Sequence, residues 1–273
     1  SAGAYTSTAN AAAIVGSATY ADLTNLHADV DITLVKKNGN CSAIAGVVGN
    51  ISSTTVTNCS NSGNISGCDS VGGVVGKASG TGTAITGCYN TGNISASSNY
   101  AGGILSQLTS VVTIANCYNA GKVETTGMYA GGIVSYVSNA SATVSNCFGF
   151  GEVNPPKNSN YGHGSVIGSL TNAGTVLTNL YYLEGSCTSG VGLNKSETQT
   201  ATAKTAAEFV SADFVTAMNT GLAEAAYKAN TGCGNYPILA WQTTPEHNYV
   251  DGVCTVCGKA NPDAPYLLDG VTD

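Results

Sequence analysis

The chain has 273 residues and a formal net charge of −7, and only 9% of its residues are charged. Nine lysines stand with no arginine, which argues against nucleic acid and anionic membranes as partners, because both need concentrated basic side chains. No apolar run approaches the roughly 18 residues of a membrane span, and with so few charges the polar surface must be built from Ser, Thr, Asn and Gly.

The first eleven residues, "SAGAYTSTANA", precede any periodic pattern and read as an N-terminal extension. From about residue 12 to 190 the chain repeats itself. Cys59, Cys88, Cys117 and Cys147 are spaced 29, 29 and 30 residues apart. Three positions upstream stand Val56, Ile85, Ile114 and Val144, and six downstream Ile65, Ile94, Val123 and Val153. Immediately before each cysteine comes Asn58, Gly87, Asn116 or Asn146. Asn and Gly tolerate a left-handed backbone, so this column predicts a turn. A second turn is expected at Gly63, Gly92, Gly121 and Gly151. Between turns, "TAITG", "VTIAN" and "ATVSN" alternate apolar and polar residues at strand period. The block "AGVVG", "GGVVG", "GGILS", "GGIVS" reads as a strand entered through a small-residue bend.

The grid continues outward with cysteine replaced: Leu26 and Leu180 take its column. A cysteine that exchanges with leucine reads as a core residue. Three short strands per turn of 27 to 33 residues, stacked on shared columns, predict an all-β, parallel β-helix of about six coils. The handedness rule for parallel crossovers predicts a right-handed coil. Strand spacing of about 4.8 Å makes the stack roughly 25–30 Å long.

The segment "GGVVGKASGTGTAITGCYNTGNIS" (Gly72 to Ser95) resembles the GLUG repeat of bacterial cell-surface proteins, which also occurs in the non-catalytic region of IgA-specific metallopeptidases. The likeness runs from about Ala43 to Val153. It implies surface architecture or an adhesive stalk, secreted and displayed outside the cell. No His-Glu-x-x-His, the zinc motif of such peptidases, occurs in the sequence.

Residues 191–244 read as a small α+β cap. "TAAEFVSADFVTAMNTG" pairs Thr205 with Glu208 as a capping box and sets Phe209, Phe214, Val215 and Met218 at helical spacing, with Gly221 ending the helix. "YPILAW" (Tyr236 to Trp241) reads as a strand. Residues 245–273 form a small tail element around Cys254-x-x-Cys257, with His247 seven residues before.

Ten cysteines is an even number, which suits disulfides in a secreted chain and metal or thiol chemistry in a cytosolic one. The ladder of Cys59, Cys88, Cys117 and Cys147 is expected to be core thiols rather than disulfides. Cys41 and Cys68 occupy equivalent positions of adjacent coils and are the expected staple; Cys187 and Cys233 are a second candidate pair. His247, Cys254 and Cys257 offer three of the four ligands a structural zinc needs; a local disulfide, or Asp251 as a fourth ligand, are the alternatives.

Catalytic groups are scarce. From Ala43 to Gly185 the acids are Asp69, Glu124, Glu152 and Glu184. Glu124 and Glu152 lie about a coil apart and are expected to be solvated surface acids rather than a hydrolase pair. No cofactor is expected apart from the zinc alternative. A non-enzymatic adhesin or stalk binding a host glycan or protein is therefore the leading expectation. A subunit that polymerises with copies of itself is the alternative, and a carbohydrate-active enzyme the last.

Overall fold

In the computed structural model, residues 10–34, 42–138, 142–156, 160–172, 174–195, 200–232, 234, 236–244, 246–250 and 253–254 are described. The chain divides into two compact units, residues 1–206 and 207–273.

The first unit is a parallel β-solenoid whose coils lie in register. Each coil is divided more finely than three strands, as the coil from Ser70 to Ala96 shows. Ser70–Gly72 lies on sheet one, Val75–Ser79 on sheet two, Thr83–Thr86 and Tyr89–Asn90 on sheet three, and Ile94–Ala96 on sheet four. The break inside sheet three has a local cause: the residue before the cysteine is left-handed in every coil, with φ of 57° at Asn25, 53° at Asn58, 64° at Gly87, 54° at Asn116, 50° at Asn146 and 51° at Asn179. The Asn-or-Gly column therefore marks a real turn. Sheet one is six strands deep and sheet two seven among the described residues. The sheets run past residue 190, since Val191–Asn194 extends sheet two and Thr202–Lys204 pairs with Val176–Leu183 on sheet three.

Each coil encloses two apolar clusters rather than one. Between sheets two and three lie Val75, Ala78, Ile85 and Cys88 with their equivalents in other coils. Between sheets one and four lie Ile44, Val71, Ile65, Ile94 and Val123. The cysteine column belongs to the first cluster: Cys147 registers with Leu180, and all four ladder thiols are fully buried.

A column of buried asparagines, Asn61, Asn90 and Asn119, lines the same turn of sheet three. Asn90 Nδ2 donates to Gly92 O at 2.8 Å and to Asn119 Oδ1 of the next coil at 2.8 Å. Asn61 does the same to Gly63 O at 2.7 Å and Asn90 Oδ1 at 2.8 Å. The second glycine of "GG" is required by the carbonyl of the next coil, 2.0 Å from a Cβ on Gly73 or Gly103, and by this ladder. A Cβ on Gly73 would lie 2.6 Å from Asn90 Cγ, and one on Gly103 2.4 Å from Asn119 Cγ. At the N-terminal end of the column register places Ala28 beneath Asn61 and Ala13 beneath Gly46, whereas at the other end Gly149 replaces asparagine and Gly132 stays glycine, because a Cβ there would lie 1.9 Å from Ser165 O.

The second unit holds two short helices, Ala206–Phe209 and Ala212–Asn219, where one was expected. Ser211 separates them, because its Oγ accepts from Phe214 N at 3.1 Å and caps a new helix. Phe209, Phe214 and Met218 are buried as their spacing predicts, and Phe209 and Phe214 pack at 4.6 Å. Gly221 has φ 79° beyond the second helix. The expected strand is reduced to Ile238–Leu239, antiparallel to Tyr227–Lys228. Tyr249–Val250 pairs with Val253–Cys254 as a hairpin.

A tyrosine-lined cleft as candidate binding site

The outer faces of sheets one and two meet along the stack. On sheet one the column facing this crease reads Ala43, Ser70, Tyr100, Tyr129. On sheet two it reads Ser17, Asn50, Lys77, Gln107, Tyr136, Ser169, Leu193. Glycine allows the two faces to approach: a Cβ on Gly76 would sit 2.8 Å from the Ala43 Cβ and 3.1 Å from Ile44 N.

In the middle coils the crease is filled with tyrosines. Tyr136 stacks on Tyr100 at 5.2 Å with planes 5° apart, and on Tyr129 at 5.1 Å and 21°. Tyr100 and Tyr129 lie 5.9 Å apart, and Tyr161 meets Tyr129 edge-on at 5.7 Å. All four rings are half-buried, so they present part of their surface to solvent. Offset stacks of this kind are favourable by about 0.5–1.5 kcal/mol per pair beyond area burial.

Polar groups border the rings. Asp69 pairs with Lys77 at 3.5 Å, accepts from Ser70 Oγ at 3.2 Å, and is bound by the Asn99 amide. Burial, with Tyr136 and Asp69 nearby, pushes Tyr100 up to about 12. Burial and then Tyr136 raise Tyr129. Both phenols therefore remain protonated at neutral pH and act as hydrogen-bond donors and acceptors. Ser169, next to Tyr136 in its column, is fully buried beside Tyr129; its hydroxyl has no hydrogen bond of ordinary geometry.

The residues singled out in the sequence fall elsewhere. Cys59, Cys88, Cys117 and Cys147 are free thiols, as expected. Each donates to the carbonyl two residues before it, at 3.3, 3.4, 3.2 and 3.1 Å in chain order. Burial, and the neighbouring thiol, push Cys88 and Cys117 well above the ordinary range; the Cys88 thiol and burial do the same to Cys59. Cys68 is disulfide-bonded, and Cys41, its expected partner, lies outside the described residues. The Cys187–Cys233 pairing is corrected, because Cys187 carries a free thiol. Val153 N donates to Ser186 O at 2.9 Å, the bond that sets each coil above the last on sheet four. Cys187 thus continues the column of Ile94, Val123 and Val153 and packs on the second apolar cluster. Cys233 lies outside the described residues.

For the zinc alternative, Cys254 is buried on the terminal hairpin, His247 precedes it, and Cys257 is outside the described residues. No group of three metal-ligating side chains occurs among the described residues.

Glu124 and Glu152 are joined through other groups rather than facing each other. Lys122 pairs with Glu124 at 2.9 Å. With its amide oriented to satisfy both neighbours, Asn154 donates to Glu152 at 2.9 Å and accepts from Lys122 at 3.1 Å. Lys122 holds the Glu124 carboxyl below its ordinary range, which is the wrong direction for a general acid. His163 sits in a sheet-one strand, its Nε2 3.2 Å from Thr188 Oγ1, and burial lowers its pKa.

The tyrosine site was missed in the sequence. Its signal is the recurrence of Tyr-Ala-Gly-Gly at Tyr100 and Tyr129, with Tyr136 on the strand that follows.

No family model and no curated protein matches the chain. Among solved structures the chain is similar to a "putative immunoglobulin A1 protease" from Bacteroides ovatus. The two share 18% identity over 81% of this chain and 76% of that one, with a TM-score of 0.52. At that identity the likeness shows a common β-solenoid fold.

Proposed function

We propose that the chain is a non-enzymatic module of a bacterial surface protein, of the GLUG-repeat kind, which displays a ligand-binding face outside the cell. The observation that carries this reading is the half-exposed tyrosine cluster held in register by the solenoid. Rings fixed on neighbouring coils lose little freedom when a partner arrives, and tyrosine offers both apolar area and a hydroxyl. Support also comes from the solved neighbour, which bears a protease name and shares the solenoid, as the resemblance to repeats flanking such peptidases implies. Two acids of the solenoid support a non-catalytic role, since Glu124 is held ionised by Lys122 and Asp69 is committed to Lys77. The test is binding of the purified chain to arrayed glycans and host extracellular proteins. Saturable binding that is lost when Tyr100 and Tyr136 are both replaced by alanine is the expected result. A blank across both arrays overturns the reading.

A further inference from the structure

The geometry points to the cleft between sheets one and two as a site for neutral glycans, with a chain of uncharged sugar rings lying along the stack against Tyr100, Tyr129 and Tyr136. The inference rests on the surface-ligand reading above and names the ligand class for it.

Three observations carry it. The first is charge. Among the described residues the two ionic groups at the cleft, Asp69 and Lys77, are paired with each other, and the phenols are neutral, so these residues have no unmatched charge to offer an acidic ligand. The second is the mixture of surfaces. A sugar ring has an apolar C–H face and an equatorial rim of hydroxyls. The cleft supplies for the face the tyrosine ring surface that their mutual stacking leaves open, and phenols and the Gln107 amide, in the column beside Tyr136, for the rim.

The third is repetition. Tyr100 and Tyr129 occupy the same place on adjacent coils, about 4.8 Å apart along the stack, a rise comparable to one sugar unit of an extended chain. An extended peptide rises only about 3.3 Å per residue along its length, which is why the glycan class is favoured over a peptide.

The experiment uses the full chain with four probes: cellohexaose, mannohexaose and maltohexaose as neutral hexasaccharides, and hexagalacturonate as an acidic one. Affinity is read by titration calorimetry. Binding of at least one neutral probe is expected. Tyr136→Ala is expected to weaken it roughly tenfold or more. Tyr20→Ala, at a tyrosine 85% exposed and outside the cleft, is expected to leave it unchanged.

Hydroxyl-radical footprinting of the unaltered protein gives a second readout that needs no variant to fold. Bound glycan should protect Tyr100 and Tyr136 and leave Tyr20 labelled. Neutral binding without protection of these tyrosines removes the site from the cleft while sparing the surface-ligand reading. Tighter binding of hexagalacturonate than of every neutral probe overturns the ligand class. Failure of all three neutral probes overturns the inference; capture of an arrayed protein would then still sustain the broader reading.

Discussion

The asparagine ladder makes a quantitative prediction because its members are chemically alike but differently placed. Asn90 sits mid-ladder, with two donated bonds and one accepted from Asn61. Replacing it with alanine strands Gly92 O, Asn119 Oδ1 and one hydrogen of Asn61 Nδ2. At about 1 kcal/mol for each buried group left unmatched, the loss is about 3 kcal/mol. Asn61 stands at the N-terminal end, above Ala28, and its own Oδ1 has no partner. Asn61→Ala strands Gly63 O and Asn90 Oδ1 but removes an existing unmatched oxygen, so about 1 kcal/mol remains. The cavities left are of equal size, so the difference of about 2 kcal/mol is the firmer number. Asn90→Asp should be worse than Asn90→Ala, because it sets carboxylate oxygens against two acceptors. Equilibrium urea unfolding followed by circular dichroism measures all three variants. If Asn61→Ala proves as damaging as Asn90→Ala, the unpaired oxygen is not a real penalty and the ladder reasoning fails.

Three further outcomes are expected. The ladder thiols should resist iodoacetamide in the native protein and all react once it is unfolded. The raised pKa values of Cys59, Cys88 and Cys117 mean that the folded state holds these protons more tightly. Thermal stability should thus be intact below about pH 8.5 and decline as pH rises above it; flat stability from pH 8 to 10 would contradict this. Peptide mapping without reduction should recover Cys41 linked to Cys68, and any other partner for Cys68 would refute the staple. If the polymerising alternative is right, negative-stain microscopy of the native protein should show filaments one solenoid wide, and monomers alone would dismiss it.

What could be read from the sequence was what each coil decides by itself. Gly87 and Asn116 declare a left-handed turn with no help from neighbours, and Leu26 and Leu180 in the cysteine column declare a core position. The division of each coil into two apolar clusters was not legible, because it depends on sheets one and two folding back on each other at a Gly-rich corner. The tyrosine cleft follows from that same contact: Tyr136 and Tyr100 are 36 residues apart and belong to different columns of the repeat. Ser211 was hidden for another reason. Helical periodicity runs through it unbroken, and only its side chain's choice of Phe214 N over solvent splits the helix.

The asparagine column also has a direction. Its amide-to-amide bonds run from a lower coil to a higher one, from Asn61 to Asn90 and from Asn90 to Asn119. Inserting one more Asn-and-Gly coil into the middle would add one such bond and create no new unmatched oxygen. The penalty at Asn61 belongs to the end of the column and is the same for three coils or for ten. Lengthening by whole coils therefore raises stability in step with length, while the outer positions of the added coil remain free to carry any side chain. A protein built this way can change its reach, or the number of tyrosines along its cleft, by duplication alone.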